Sequence, residues 1–474
     1  MPTDNPKQQA ILAFKLVEKH SKLIKSETEE IFVINNQLNN FVPLRSTSFK
    51  NWLMYMFNQE NNSFLEVNAL NQTLNQLEAL YSFKLTERHS IASRVGHHDN
   101  KIYINLNDEE GNKIEISTSG WKVTRNSPLI FQMDNNNSSM PLPKGRNPKD
   151  LLRLRHYLGL DEKEFMLVIS FLLSVYMPTD KYPVLYFQGG ESTAKTFRTK
   201  LIKLLLDPSK TTELTIPKSE QNLFAQARGQ HLVTFDNVSQ ISRNQADWLC
   251  KLSTTSSFST RKLFSDLEGV YYSLVRPIVL NSIEELTDKN DLLSRMIYIK
   301  LPKLKDLKSS SELMKSLNEE TPYILGGLFS ILSHALKKFP SSEIKTSSRF
   351  IDFIRWITCC EEQLGLPSNY FNTLIQENNE FKVEDAMEKN IFLQLLIEII
   401  EKSPNPLVTT PTQLFNDLKD LYQKKYGEKD FKIIQSIVNL KDKIVRNEKM
   451  LNSLGISFSY KRKAIQRTYI FTKD

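Results

Sequence analysis

The 474-residue chain holds 62 Lys and Arg against 54 Asp and Glu, a formal charge of +8, with 40% hydrophobic and 24% charged residues. At roughly 150 residues per domain this is the composition of a soluble globular protein of about three domains, which excludes disordered, collagen-like and disulfide-stapled chains. Its longest apolar stretch, Phe165 to Met177 with Ser170 and Ser174 inside it, has 13 residues, short of the ~18 to 20 that span a bilayer, so no membrane partner is expected.

The start MPTDNPKQQ lacks the basic and apolar regions of a secretory signal. Cys250, Cys359 and Cys360 are too few and too badly spaced for a zinc site or disulfides, so a reducing, cytoplasmic setting is expected. The positive charge is concentrated: residues 441–474 hold nine basic and three acidic side chains, six of the eight excess charges. A basic end on a neutral body suggests a nucleic-acid partner for that end.

In chain order, PKQQAILAFKLVEKHSKLI and NALNQTLNQLEALYSF have the periodicity of amphipathic helices, while KIYINL and KIEISTSGWKVT alternate as strands around a turn at residues 108–112. His97-His98-Asp99 lacks a further ligand pattern and reads as a hairpin turn, not a metal site. Residues 1–134 are therefore expected to be an α+β domain, a collar or DNA guide, and residues 135–148, rich in Asn, Ser, Pro and Gly, have the composition of a linker. Next, a helical stretch from Lys149 to Tyr176 leads to strands YPVLYF, ELTI, HLVTF, RPIVLN and RMIYIKL with helical segments between them. That alternation argues for a mostly parallel sheet covered on both faces. Helices in PYILGGLFSILSHALKKF and SSRFIDFIRWITCCEEQL supply a lid and complete an α/β domain over 149–385. Within 386–474, Thr410-Pro411 offers an N-cap and an N1 proline to the helix TQLFNDLKDLYQKKYG.

The strongest local signal is a strand, the loop Gly189-Gly190-Glu191-Ser192-Thr193-Ala194, then Lys195-Thr196 opening the helix FRTKLIKLLL. A P-loop requires this context, because backbone N–H groups of loop and helix wrap the phosphates of ATP. Lys195 then reaches the β and γ phosphates and the Thr196 hydroxyl holds Mg²⁺. Ala194 stands where the pattern has glycine; a positive φ there costs about 1 kcal/mol. HLVTFDN places Asp236 at a strand end, suited to the Walker B carboxylate, with Asn237 where a catalytic glutamate often sits. An amide cannot take a proton from water, so the base is unidentified. Asn281 ends RPIVLN, either as a residue orienting the attacking water or as a turn residue. Arg295 starts RMIYIKL, either as an arginine finger for a neighbouring subunit or as a surface side chain.

FSTRKLFSDLEGVYYSLVRP reads as a hairpin ahead of the Asn281 strand, where Arg261 and Lys262 could grip phosphates from a ring's pore. In the basic end, Lys441, Lys443, Arg446 and Lys449 fall on exposed positions of helices, and Lys461, Arg462, Lys463 and Arg467 surround the turn of a closing hairpin. Helices followed by a basic two-stranded wing are the parts of a winged helix.

Together GGESTAKT, LLLDPS, HLVTFDNVSQIS, WLCKLST, RKLFSD, RPIVLNSI and DLLSRMIYIKLP resemble the MCM-like, self-loading replicative helicases of phage-inducible chromosomal islands and chromosome cassettes, superfamily 3-like AAA+ ATPases. The resemblance covers Tyr157 to Trp356 well, the N-terminal region loosely and the C-terminus only in architecture. It implies a homohexameric ring that hydrolyses ATP with Mg²⁺, translocates on single-stranded DNA and recognises double-stranded origin DNA through the winged helix. By the same resemblance Lys195 and Thr196 are Walker A, Asp236 with Asn237 Walker B, Asn281 sensor 1, Arg295 a finger acting in trans, and Arg349, in SSRFIDF, sensor 2. The expected architecture is thus multidomain: an α+β N-terminal domain, a central α/β AAA+ P-loop ATPase and a C-terminal winged helix. The alternatives are a DNA-binding regulatory ATPase whose nucleotide state switches assembly without unwinding, and a non-enzymatic scaffold with a dead P-loop.

Overall fold

The computed structural model describes the chain apart from residues 1–4, 36, 133–135, 180, 255–256, 262–268, 284–289, 304–308, 347, 428–430, 432, 435, 463–466 and 474. It forms two compact units, Met1–Ile375 and Gln376–Asp474. The first begins with helices Pro6–His20, Thr47–Asn61 and Val67–Lys84 beside a four-stranded sheet. The first expected helix is shorter than its periodicity suggests. Its last residues leave at Ser21 to form the strand Ser21–Ser26, which pairs antiparallel with Ile31–Asn35 and buries Leu23 and Ile24.

A second, antiparallel sheet follows: Val95–His98, Lys101–Asn105, Lys113–Ser117 and Gly120–Thr124. Asp99 and Asn100, with φ of 48° and 54°, make the two-residue turn that the His97-His98-Asp99 segment suggested. Its inward face, Ile102, Ile104, Ile114, Ile116 and Trp121, shares one apolar core with the helices of residues 154–375. The packing therefore crosses the boundary expected at residue 134.

The stretch expected as a linker is a packed clasp. Met140 is buried, Ser138 N–H donates to Pro208 O, and Lys144 N–H donates to Pro322 O. It lies so close to the helix Ser310–Lys338 that a Cβ on Gly326 would stand 2.1 Å from Lys144 O and 2.6 Å from Gly145 O. Polar composition signals a loop; here the loop's backbone groups find partners on other elements, which holds it down.

The central sheet is parallel, in the order Val233–Phe235, Ile278–Ser282, Val184–Gln188, Met296–Lys300. Its side chains alternate between two cores. Leu185, Phe187, Val279, Ile297 and Ile299 face the helices Glu162–Ser174 and Lys195–Leu206, while Val184, Tyr186, Val233, Phe235, Ile278 and Leu280 face Glu220–Arg228 and Arg243–Ser253. Each large apolar side chain so buried stabilises the fold by about 1.5–3 kcal/mol. The apolar stretch at 165–177 is a core helix on this sheet, buried at every position from Phe165 to Ser174. ELTI does not form a strand: it contributes one parallel bridge, Leu214 to Phe235. Among the described residues no helix is long and apolar enough to cross a membrane.

The second unit runs helix Ile391–Glu401, strand Leu407–Thr409, helices Pro411–Tyr426 and Ile437–Arg446, a short helix Glu448–Ser453, then a hairpin of Ile456–Arg462 and Arg467–Lys473. Leu407–Thr409 pairs with the outer side of Arg467–Lys473. Leu396, Leu414, Leu418, Leu440, Ile444 and Phe471 form its core.

Because backbone, and not a flexible side-chain tip, occupies the space above Gly326, Gly326→Ala is expected to cost about 1–3 kcal/mol in urea unfolding and to open residues 135–148 to protease. Unchanged stability with an uncut segment would show that the clasp does not bear on the helix.

Candidate nucleotide site

Val184–Gln188 runs into the glycine loop at the carboxyl edge of the parallel sheet, the edge where open α/β sheets bind ligands. Gly189 has no room for a side chain: a Cβ there would lie 2.8 Å from Thr193 Oγ1 and 3.0 Å from Leu301 Cβ. Ser192 and Ala194 both take positive φ, 62° and 52°, so the left-handed strain suspected at Ala194 is present, at about 1 kcal/mol. Ala194 is also the N-cap of Lys195–Leu206 and offers no capping side chain. The first N–H groups of that helix thus lack a side-chain acceptor, the arrangement that accepts phosphate oxygens. Glu191 and Ser192 are exposed at the loop tip, whereas Thr193 is buried, its hydroxyl donating to Gly190 O at 2.9 Å.

Lys195 is nearly buried, and its ammonium donates to Gly189 O at 2.7 Å and Gly190 O at 2.6 Å. Burial lowers its pKa, against the opposing pull of Asp236 and Glu191. The Thr196 hydroxyl donates to Asp236 Oδ2 at 3.1 Å. From the neighbouring strand, Asn281 Nδ2 donates to Asp236 Oδ1 at 2.5 Å and to Thr199 Oγ1 at 2.9 Å, while its Oδ1 accepts from Asn237 N–H at 2.9 Å. Asn237 itself is exposed with φ of 49°. Lys195, Thr196, Asp236, Asn237 and Asn281 are therefore brought together at one edge of the sheet.

This donor set fits a nucleoside triphosphate with Mg²⁺. Mg²⁺ binds through one or two hard oxygen ligands plus phosphate oxygens, and Thr196 and Asp236 supply such oxygens beside an ammonium and uncapped N–H groups. Among the described residues no group of three His, Cys, Asp or Glu could hold a metal by itself.

Sequence reasoning missed Arg198, one turn into the same helix. It is buried beneath the loop, donating to Thr193 O, to Leu158 O at 2.6 Å and to Gly159 O at 3.3 Å, and burial lowers its guanidinium to about 10. Its helical spacing to Leu201 and Ile202, both buried, was the available signal.

The two arginines stand elsewhere. Met296 pairs with Val184 and Lys300 with Gln188, so Arg295 lies at the amino edge of the sheet, about 16 Å from the loop at ~3.3 Å per residue. Its guanidinium donates to Thr254 Oγ1 at 3.0 Å and to Asp291 Oδ2 at 3.1 Å. Arg349 is at the same edge, bonded to Asp291 Oδ1 at 2.8 Å and Ser294 Oγ at 2.7 Å. Arg349, expected as sensor 2, thus shares a counter-ion with Arg295. Burial pushes the Asp291 carboxyl up, but hydrogen bonds from Arg349 and Cys250 and the Arg295 charge outweigh it and hold it at about 2.

The expected hairpin exists as Ser257–Arg261 paired antiparallel with Gly269–Ser273; of Arg261 only the backbone is described, and Lys262 lies outside the described residues. In the second unit Lys461 and Arg467 are exposed on the closing hairpin. The Arg462 side chain and all of Lys463 lie outside the described residues. Lys443, expected on an exposed position, instead donates to Ile433 O at 2.5 Å and sits over the Phe392 ring. Lys441 lies 3.6 Å from the centroid of the Tyr460 ring, joining helix to hairpin.

Residues 149–370 match the model of a family described as actinomycete integrative conjugative element replication protein; this central region is similar to replication proteins of mobile elements. No curated protein matches the chain. Among solved structures, the apo C-terminal region of NrS-1 aligns over 100% of both chains at 13% identity with a TM-score of 0.41. JCV helicase bound to an acetamide compound aligns over 50% of this chain and 66% of its own at 12% identity and 0.27. Both scores describe loose likenesses.

Two outcomes are expected. Asn281→Ala leaves Asn237 N–H and Thr199 Oγ1 without their partner and should cost about 1–3 kcal/mol in chemical denaturation; a loss below ~0.5 kcal/mol would show that Asn281 does not organise the edge. Asp291 has a depressed pKa, so its contribution is complete above its unfolded value near 4 and fades as pH falls towards 2. Acid unfolding of Asp291→Asn against the native chain should differ above pH 4 and converge below it; equal curves throughout would remove the carboxylate from the arginine cluster.

Proposed function

We propose that the chain is a P-loop ATPase of the AAA+ kind that assembles into a homohexameric ring and works as the replicative DNA helicase and replication initiator of a mobile genetic element. The observation that carries this reading is the convergence of Thr196, Asp236 and Asn281, from three chain segments, beside the uncapped helix of Lys195. The family match over 149–370 supports its replication context.

In this reading Lys195 leaves the loop carbonyls to meet the β and γ phosphates of ATP, and Thr196 and Asp236 hold Mg²⁺. When bound, Mg²⁺ neutralises charge developing on the phosphate oxygens. Asn281 fixes Asp236 and the Asn237 backbone and orients the attacking water. Asn237 takes no proton, so water is positioned by amides and the proton leaves to solvent or phosphate. Arg295 and Arg349, far from their own loop, serve the nucleotide of the next subunit. That placement favours a ring over an isolated switch. The Ser257–Arg261/Gly269–Ser273 hairpin faces single-stranded DNA, with Arg261 and Lys262 on phosphates.

The second unit, with helix, strand, two helices and a hairpin in winged-helix order, binds double-stranded origin DNA. The helix Ile437–Arg446 enters the major groove, and Lys461, Arg462, Lys463 and Arg467 track phosphates beside it. Neutralising six phosphates gives a slope of log K against log salt of about −5.

Strand displacement on forked DNA tests the whole. Native protein with ATP should unwind it and Lys195→Ala should not; ATP hydrolysis without unwinding would replace the helicase with a regulatory ATPase. Replacing Lys461 and Arg467 by Ala should make the salt slope of duplex binding shallower by about 2, and an unchanged slope would move the duplex contact elsewhere.

A further inference from the structure

A buried ion cluster lies at the far end of the Lys195–Leu206 helix from the nucleotide site. Arg94, Lys203 and Asp207 are each wholly buried. Asp207 Oδ1 accepts from Arg94 Nε at 2.6 Å; its Oδ2 accepts from Lys203 Nζ at 2.8 Å and from the N–H groups of His231 and Leu232 at 2.9 and 3.0 Å. Lys203 also donates to Leu232 O at 2.6 Å and Gln230 Oε1 at 2.9 Å. Arg94 comes from the N-terminal region, just ahead of Val95–His98, and spends its other donors on Asn105 O, Ser138 O and Pro208 O. His231 adds no third cation, since burial holds its imidazole neutral with a pKa of about 3.

These bonds close a frame. The helix runs from Thr196 to Asp207, about 16 Å at 1.5 Å per residue. The neighbouring strand runs from Leu232 to Asp236, about 13 Å. Asp207 pins the two at one end, the Thr196 to Asp236 hydrogen bond joins them at the other, and Asn281 ties to Thr199 between. The far pin stops the helix sliding along the strand and the middle tie limits its pivoting, so Asp207 takes part in setting the oxygen separation at the near end.

We propose that Asp207, locked by Arg94, is a positioning residue that helps set the spacing of Thr196 and Asp236 and thereby the Mg²⁺ requirement of nucleotide binding. The proposal rests on the nucleotide reading above and extends the working ATPase beyond residues 149–370 to include Arg94. Groups bonded directly to metal ligands commonly alter metal affinity 10- to 100-fold; Asp207 acts through the helix and strand, so the low end of that range is expected.

The test uses the full chain and a fluorescent ATP analogue, with binding measured in EDTA and across a Mg²⁺ titration. Arg94→Met is the first variant because it leaves Lys203 and Asp207 as a balanced pair. Its affinity in EDTA should stay within about twofold of native, while the Mg²⁺ midpoint rises roughly tenfold. Asp207→Asn should move the midpoint the same way. A lower melting temperature with an unchanged Mg²⁺ midpoint would overturn the proposal, leaving the cluster as a structural anchor alone. Should Arg94→Met not fold, Arg94→Lys, which keeps the charge but loses the branched donor set, is read by the same midpoint. Native protein that binds no analogue with or without Mg²⁺ would instead remove the nucleotide reading itself, and this proposal with it.

Discussion

The carboxylate of Asp236 is held between Thr196 and Asn281 only because three segments reach the same edge of one parallel sheet. Parallel pairing puts the carboxyl ends of Val184–Gln188, Val233–Phe235 and Ile278–Ser282 side by side; the first leads through the loop to Thr196, the second is followed by Asp236, and the third holds Asn281 near its end. The site is thus a consequence of sheet topology. Helices on both faces keep water from the strands, while the edge stays open to a ligand.

The same topology separates two chemistries. The uncapped helix start and the loop lie at one edge; Arg295 and Arg349 lie at the other, sharing Asp291. No side-chain rearrangement spans roughly 16 Å of strand, so one subunit cannot bring its own arginines to its own loop. In the proposed ring, every site has its own Lys195 and takes its arginines from the next subunit, with Asp291 the counter-ion those arginines would leave to meet phosphate.

Much of this was legible in the sequence because chemistry at strand ends leaves short local patterns. The glycine loop, Asp236 and Asn281 stand out as polar residues at the ends of apolar runs, the hairpin before Asn281 as two alternating runs around a turn, and four of the five expected central strands form. ELTI looked like a strand but lies at the sheet margin, where it makes a single bridge to Phe235. The clasp at 135–148 was unreadable because polar composition does not say whether backbone groups will find partners; the hint was Gly326-Gly327 inside an apolar helix, where only glycine admits a crossing backbone. Buried charges were the other gap. Arg94, Arg198 and Asp207 look solvated in a sequence, and only the fold reveals their partners, although an aspartate capping the apolar LLL before Pro208 was a visible anomaly. The resemblance names Arg349 but does not say which edge it occupies; tertiary packing sets it beside Arg295.

The central claim is that each nucleotide site is built from the loop of one subunit and the arginines of another. Mixing Lys195→Ala with Arg295→Ala protein and measuring ATP hydrolysis in the presence of DNA tests it most directly. Each variant alone should be nearly inactive, since an arginine finger contributes about 10³-fold or more. The mixture should recover activity, because sites pairing an intact Lys195 with an intact Arg295 form at some interfaces. Two variants that stay inactive when mixed, while still assembling together, would contradict it.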